Sequence, residues 1–248
     1  MMDNNLIHAP LESPNLLIDV GCGTGIVSCH LGAKYPTAQI YGVDLSSVPP
    51  RQKPSNVEFI VGDVRQLLNH DARLALGTAD LVFSRLLVLG MTDWAGYVRD
   101  MASLVRSGGW VEMQDVALEW YLDGVCCSGE WEWSKALALA AEKKGWDPHC
   151  GRNLKGNMHE AGLVDISVRE YSIPMGTWMV GERPETRRIG EHTAREFGMV
   201  YYHAIPKMLQ GMGYAEEKIE EFRRSSGRDL AAQDGKELRF YVTVGRKP

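Results

Sequence analysis

The run Asp19-Val20-Gly21-Cys22-Gly23-Thr24-Gly25 sets three glycines at alternate positions, directly after the apolar stretch Leu16–Ile18. Glycine lets the backbone turn tightly and come against a ligand with no Cβ in the way. Where a strand meets a helix in an open parallel sheet, such a loop is a ligand site. Two common ligands do not fit the spacing. A dinucleotide loop needs G-x-G-x-x-G, and the last glycine would fall on Ile26. A phosphate-binding P-loop ends in Gly-Lys-Ser/Thr, and no lysine stands near. Two carboxylates follow at matching places. Asp44, with Leu45 beside it, ends the apolar run Gln39–Val43, where it can accept both hydroxyls of a ribose. Asp63 comes after Val57–Val61 and Gly62, where it can accept from the exocyclic amine of adenine, while Val64 offers apolar contact to the ring. Either aspartate can also cap a helix. The three features together describe a loop with a nucleoside to hold.

The elements that must position these groups read as strand–helix alternation. Strands are expected at residues 16–20, 39–43, 57–61, 80–84 and 110–114. Helices are expected at 25–35, closed by Pro36, at 64–76, and after Trp94, where Trp94, Val98, Met101 and Val105 recur at helical spacing. Gly108-Gly109 is expected to end that last helix. Alternation of this kind requires parallel crossovers. The fold class is therefore α/β, a Rossmann-like doubly wound sheet. Beyond residue 115 the pattern predicts helices at 130–144, 185–209 and 215–224, and strands at 163–173 and 238–244.

The glycine run resembles motif I of class I S-adenosylmethionine methyltransferases, an acidic residue followed by G-x-G-x-G. In that class the acidic residues ending strands two and three take the roles given above to Asp44 and Asp63. The resemblance implies S-adenosyl-L-methionine as cofactor, held by Asp19, Gly21, Cys22, Gly23, Gly25, Asp44, Leu45, Asp63 and Val64. It also implies a seven-stranded, mostly parallel sheet whose last strand is antiparallel, with helical insertions forming a substrate cap. The expected organisation is one domain over 1–248, with a cofactor half at 1–115, substrate-side insertions at 116–235 and the final strand at 236–248.

Further segments resemble a fungal family, the LaeA-like and secondary-metabolite methyltransferases. They are His8–Leu11, Tyr35–Gln39, Asp44–Pro50, Ser84-Arg85-Leu86, Gly108–Asp115, Gly151–Lys155 and Gly245–Pro248. The resemblance covers nearly the whole chain. It places Ser84 and Arg85 beside the cofactor, Arg85 facing either the methionine carboxylate or the substrate. Members of that family usually carry a longer stretch before the His-Ala-Pro-Leu segment. Such upstream segments often form a lid, so a homodimer contact or a protein partner could supply cover here.

Composition narrows the acceptor. The 248 residues carry 27 Lys plus Arg against 32 Asp plus Glu, a net charge of −5, with no basic stripe of the kind nucleic-acid binders show. The five cysteines form no CxxC pair and no zinc-ligand spacing, so no metal is expected. No apolar run reaches the roughly 20 residues of a membrane helix, and the first residues do not read as a signal peptide. A cytoplasmic protein acting on a small molecule is the expectation, or a nuclear one if its role is regulatory.

Methyl transfer is an in-line displacement at a sulfonium-bound carbon, helped by alignment and a dry pocket. An oxygen nucleophile also needs a base within hydrogen-bond reach. His192, on a helix with Ile189, Phe197 and Tyr201, is ranked first as that base, ahead of His149, His159 and His203. Gln114 alternates with Glu112 on the fifth strand and could reach the pocket floor. Trp120, Trp178 and Tyr201, with His149, are the substrate-side candidates. The leading reading is methyl transfer to an oxygen or nitrogen of a secondary metabolite. The alternative is a methyltransferase-fold regulatory protein working in a complex.

Overall fold

The computed structural model describes residues 5–68 and 70–248. In chain order the elements are β1 (Leu16–Val20), α1 (Ile26–Lys34), β2 (Gln39–Asp44), β3 (Val57–Val61), α2 (Val64–Leu67), β4 (Ala79–Arg85), α3 (Trp94–Leu104), β5 (Val105–Leu122), β6 (Val125–Cys126), α4 (Glu132–Lys144), α5 (Cys150–Glu160), β7 (Val164–Pro174), α6 (Arg187–Met208), α7 (Glu216–Asp229) and β8 (Lys236–Arg246). The strands follow the order β3-β2-β1-β4-β5-β8-β7, and β6 pairs with β5 as an eighth strand of two residues. The pairs β1–β2, β1–β4, β2–β3 and β4–β5 are parallel. The C-terminal strands are antiparallel, and the whole is the expected Rossmann-like sheet with helical insertions.

The sequence explains the parallel half directly. β1 and β4 are apolar runs buried along nearly their whole length, as strands covered on both faces must be. The start of β1 is fixed by Asp80, whose Oδ2 accepts from Asn15 N at 2.7 Å and Leu16 N at 3.0 Å. Trp94, Tyr97, Val98, Met101 and Leu104 form the buried face of α3 at helical spacing.

Two expectations are corrected, and one helix is added that none of them covered. The helix expected over 64–76 stops at Leu67. Asp71 then accepts from Arg73 N at 3.0 Å and opens a separate single turn, Ala72–Leu74; residue 69 lies outside the described residues. Gly108-Gly109 does not separate helix from strand. α3 ends at Leu104, and β5 already begins at Val105, passing the glycines through a register shift between the Ala79 and Leu81 pairings. The added helix is α5, which contains Gly151-Arg152-Asn153-Leu154-Lys155 and whose two glycines lower its helix propensity. Its buried residues Cys150, Leu154 and Met158 fall four apart.

The chain divides into two compact units. One comprises 5–115, 150–169 and 241–248. The other comprises 116–149 and 170–240. Residues 150–169 thus group with the parallel strands of the first unit. No helix among the described residues is long and apolar enough to cross a membrane.

Candidate functional site

In the first unit, the loop after β1 and the ends of β2 and β3 border one cavity of about 340 Å³. Its lining includes Val20, Gly21, Val43, Asp44, Leu45, Gly62, Asp63, Val64 and Arg65. The size falls in the roughly 300–1,000 Å³ range of small-molecule sites. Gly21, Gly23 and Gly25 all have positive φ, at 69°, 53° and 73°. At Gly25 a Cβ would stand 2.5 Å from Phe59 Cζ, so the turn tolerates no side chain there. Gly23 N donates to Asp44 Oδ2 at 2.8 Å, and Ser46 N to Asp44 Oδ1 at 2.9 Å. These bonds hold the carboxylate at the cavity, and each oxygen keeps a further lone pair for a ligand hydroxyl. Asp63 caps α2, accepting from Arg65 N at 2.9 Å, while lining the cavity. Capping therefore does not take this residue away from the cavity.

Other residues expected at the cofactor lie behind or beside the lining. Asp19 is buried, and its Oδ2 accepts from Ser28 Oγ at 2.6 Å. Burial raises its carboxyl to about 6, opposed by the Ser28 bonds and assisted by the Asp44 charge. Burial, with the Asp19 and Asp44 charges, pushes the Cys22 thiol up to about 12, so it stays protonated near neutrality. Gly23 is exposed at the loop. Ser84 is buried, and burial lowers the guanidinium of Arg85 from its ordinary value.

Gln114 and its neighbour Glu112 are engaged elsewhere in this unit. Glu112, fully buried, accepts from both His8 N and Ala9 N at 2.8 Å. Gln114 Nε2 donates to Leu6 O at 2.8 Å and to Glu112 Oε1 at 2.6 Å. This pair anchors the segment that carries the His-Ala-Pro-Leu motif. The sequence reading missed Leu87, Gly90, Met91 and Thr92, which also line the cavity. Their one signal was their place directly after Ser84-Arg85-Leu86.

The second unit holds the substrate-side candidates. Trp120 sits among Trp131, Trp133 and Tyr201, with ring centroids 5.9, 5.8 and 5.2 Å away. Trp120 and Trp133 are each 1% exposed, and Trp133 Nε1 donates to Asp229 Oδ2 at 2.8 Å. Trp178 donates from Nε1 to Lys236 O at 3.0 Å. His149 Nδ1 lies 3.3 Å from Glu119 Oε1, and Tyr121 donates from its hydroxyl to Glu119 Oε2 at 3.1 Å. The Arg239 guanidinium covers the Tyr121 ring at 3.7 Å. His192 is exposed on α6, as is His203.

A glycine loop and two strand-end carboxylates at the carboxyl edge of a Rossmann-like parallel sheet define the class of S-adenosylmethionine-dependent methyltransferase folds. A model of the methyltransferase-domain family matches residues 4–168, and the chain belongs to that family. Its cofactor is S-adenosyl-L-methionine. The chain is 30% identical to the methyltransferase pytC of Aspergillus terreus over 185 residues, covering 72% of this chain and 55% of that one. It is 28% identical to the secondary metabolism regulator laeA of Aspergillus fumigatus over 212 residues, covering 84% and 54%. The chain thus spans about half the length of these curated relatives. In fold it is similar to phosphoethanolamine N-methyltransferase 2 of Haemonchus contortus, solved with S-adenosyl-L-methionine. The TM-score there is 0.57 at 16% identity, over 96% of this chain and 50% of that one.

Proposed function

We propose that the chain transfers the methyl group of S-adenosyl-L-methionine to an oxygen or nitrogen of a small, apolar acceptor of secondary metabolism. The observation that supports this is the β5 segment Glu119–Tyr121. Alternation along a strand sends Trp120 to one face and Glu119 and Tyr121 to the other. On one face stands the aromatic cluster, and on the other a carboxylate holds a histidine. A histidine whose Nδ1 faces a carboxylate is oriented with Nε2 left as the acceptor. Of the candidate bases we rank His149 ahead of His192, because Glu119 Oε1 stands 3.3 Å from its Nδ1, while His192 is exposed on α6. For an oxygen acceptor, the O–H proton leaves to a base as the O–CH₃ bond forms and the C–S bond breaks. S-adenosylhomocysteine departs neutral at sulfur.

Incubating the protein with S-adenosyl-L-methionine and a panel of phenols, alcohols and amines tests this. Release of S-adenosylhomocysteine with at least one acceptor is the expected result. Tight binding of S-adenosylhomocysteine with no turnover on any acceptor would instead support a regulatory role, the reading that the similarity to laeA favours. The proposed site of action is the cytoplasm on the enzymatic reading and the nucleus on the regulatory one. A covering partner, a second copy or another protein, belongs to the regulatory reading.

A further inference from the structure

Four residues of the cofactor cavity, Leu87, Gly90, Met91 and Thr92, come from the loop between β4 and α3. That loop is fixed at both ends by carboxylates that do not line the cavity. At its start Leu86 has a φ of 57°, a left-handed conformation that a leucine adopts only when its surroundings enforce it. The enforcement is visible. Leu86 N donates to Gln114 O at 2.9 Å, and Leu87 N donates to Asp115 Oδ2 at 2.6 Å. Asp115 is 2% exposed. The turn delivers the Leu87 side chain onto Gly21, where an added Cβ would overlap Leu87 Cδ2.

At the other end, Asp93 has a φ of 48° and accepts from Gly96 N at 3.0 Å. Arg65 reaches it from the β3 side of the cavity. Its Nη2 donates to Asp93 Oδ2 at 3.1 Å, and its Nε donates to Asp100 Oδ2 at 2.6 Å. Gly96 leaves room for this arrangement, since a Cβ there would stand 2.8 Å from Arg65 Nη2. A residue two places after Asp63 is thus clamped to the far end of the loop that carries Leu87.

We propose that Asp115 and Asp100 are positioning residues for the cofactor, holding the 86–93 loop as one wall of its cavity. Asp115 acts through the Leu87 amide, and Asp100 acts through Arg65. The proposal rests on the assignment of this cavity to S-adenosylmethionine. Neither carboxylate touches the ligand; each sets the fraction of molecules whose wall is already in its binding shape. Apparent affinity scales with that fraction, so a wall formed about a tenth of the time gives about a tenfold higher Kd.

The test is calorimetric titration with S-adenosylhomocysteine of Asp115→Asn, Asp100→Asn and the parent, each well below its own melting temperature. Asp165→Asn serves as control, because Asp165 pairs with Arg246 and lines no part of this cavity. Asparagine keeps the size of the side chain and removes its charge. The expected result is a Kd about tenfold weaker for the first two variants and unchanged for the control. Hydrogen exchange over residues 86–93 supplies a readout that a general loss of stability would not give. Exchange there should quicken in the free variants and return to the parent rate at saturating S-adenosylhomocysteine. Kd values within twofold of the parent overturn the proposal. So does weaker binding with loop exchange unaltered. A parent that binds no S-adenosylhomocysteine overturns the cofactor assignment, and the wall with it.

Discussion

The two candidate sites, one in each compact unit, hold their carboxylates in different ways. In the unit built on the parallel strands, carboxylates are tied to backbone amides. Asp44 holds Gly23 N and Ser46 N, Asp63 holds Arg65 N, Asp80 holds Asn15 N and Leu16 N, and Glu112 holds His8 N and Ala9 N. In the unit of residues 116–149 and 170–240, side chains pair with side chains. Glu119 meets His149 and Tyr121, Asp229 meets Trp133, and four aromatic rings pack on one another. A carboxylate fixed by main-chain donors has little freedom left, and it presents its remaining lone pairs at a set place. That suits a cofactor whose shape never changes. A site of side-chain pairs can be altered one residue at a time while the backbone stays.

The largest effect should come from breaking the first kind of site at Asp44. If Asp44 takes the ribose, as its place at the end of β2 leads us to expect, Asp44→Ala removes the acceptor for two hydroxyls, and hydrogen bonds to a charged group contribute about 1.5–3 kcal/mol each. Calorimetry should show S-adenosylhomocysteine binding weakened by a hundredfold or more, on the order of 3–6 kcal/mol. A change below about threefold would mean that the cavity takes its ligand without this carboxylate. The matching test in the other unit is Trp120→Ala. Trp120 is 1% exposed. Its removal should cost about 3–5 kcal/mol in denaturant unfolding, as truncation of a buried tryptophan does. A small loss there would show that Trp120 faces a cavity open to ligand and is not a packing centre.

This contrast also governs what could be read from the sequence. The cofactor half was legible because its interactions are local and its glycines are punctuation. Asp44 answers Ser46 two residues on, and the G-x-G-x-G spacing requires the left-handed turns that are found. Strands β1 to β4 were legible because burial on both faces writes them as continuous apolar runs. The 86–93 wall was not legible. Its form depends on Asp115, 28 residues from Leu87, and on Arg65, 28 residues from Asp93. Helix α5 was missed because its glycines lower its propensity and only packing of Leu154 and Met158 favours it. The aromatic residues of the second unit were visible as a set. Nothing local told that Trp133 would find Asp229, 96 positions away, or that His149 and not His192 would face a carboxylate.

The His149 assignment can be sharpened independently of stability. Replacing His149 by Gln keeps the size of the side chain and removes its basicity. The expected outcome is a fall in kcat/KM of about 10²–10⁴ toward an oxygen acceptor, the usual contribution of a general base. S-adenosylhomocysteine affinity should stay at the parent value. Glu119→Gln should give a smaller loss in the same direction, because it removes the partner and not the base. His192→Gln should leave the rate unaltered. A full rate in His149→Gln with a lost rate in His192→Gln would reverse the assignment.

The smallest effect concerns Asp19, a buried carboxylate beneath the glycine loop whose side-chain partner is the Ser28 hydroxyl, and its sign runs against the usual acidic residue. Burial raises its carboxyl from 3.8 to about 6, more than the Ser28 bonds lower it. Between those two values the folded chain holds a proton that the unfolded chain has released. Stability from this group is therefore fully present below about pH 4 and is lost as pH rises through about 6. The shift corresponds to at most about 3 kcal/mol. Asp19→Asn removes the titration and keeps an oxygen that can accept from Ser28. Relative to the parent, the variant should gain melting temperature steadily from pH 4 to pH 7 and show no further gain above that. A constant difference across the range would mean that water or a bound cation already solvates the carboxylate. The first residue of the glycine motif would then resemble Asp44 and Asp63, open to a ligand, and not a charge held down beneath the loop.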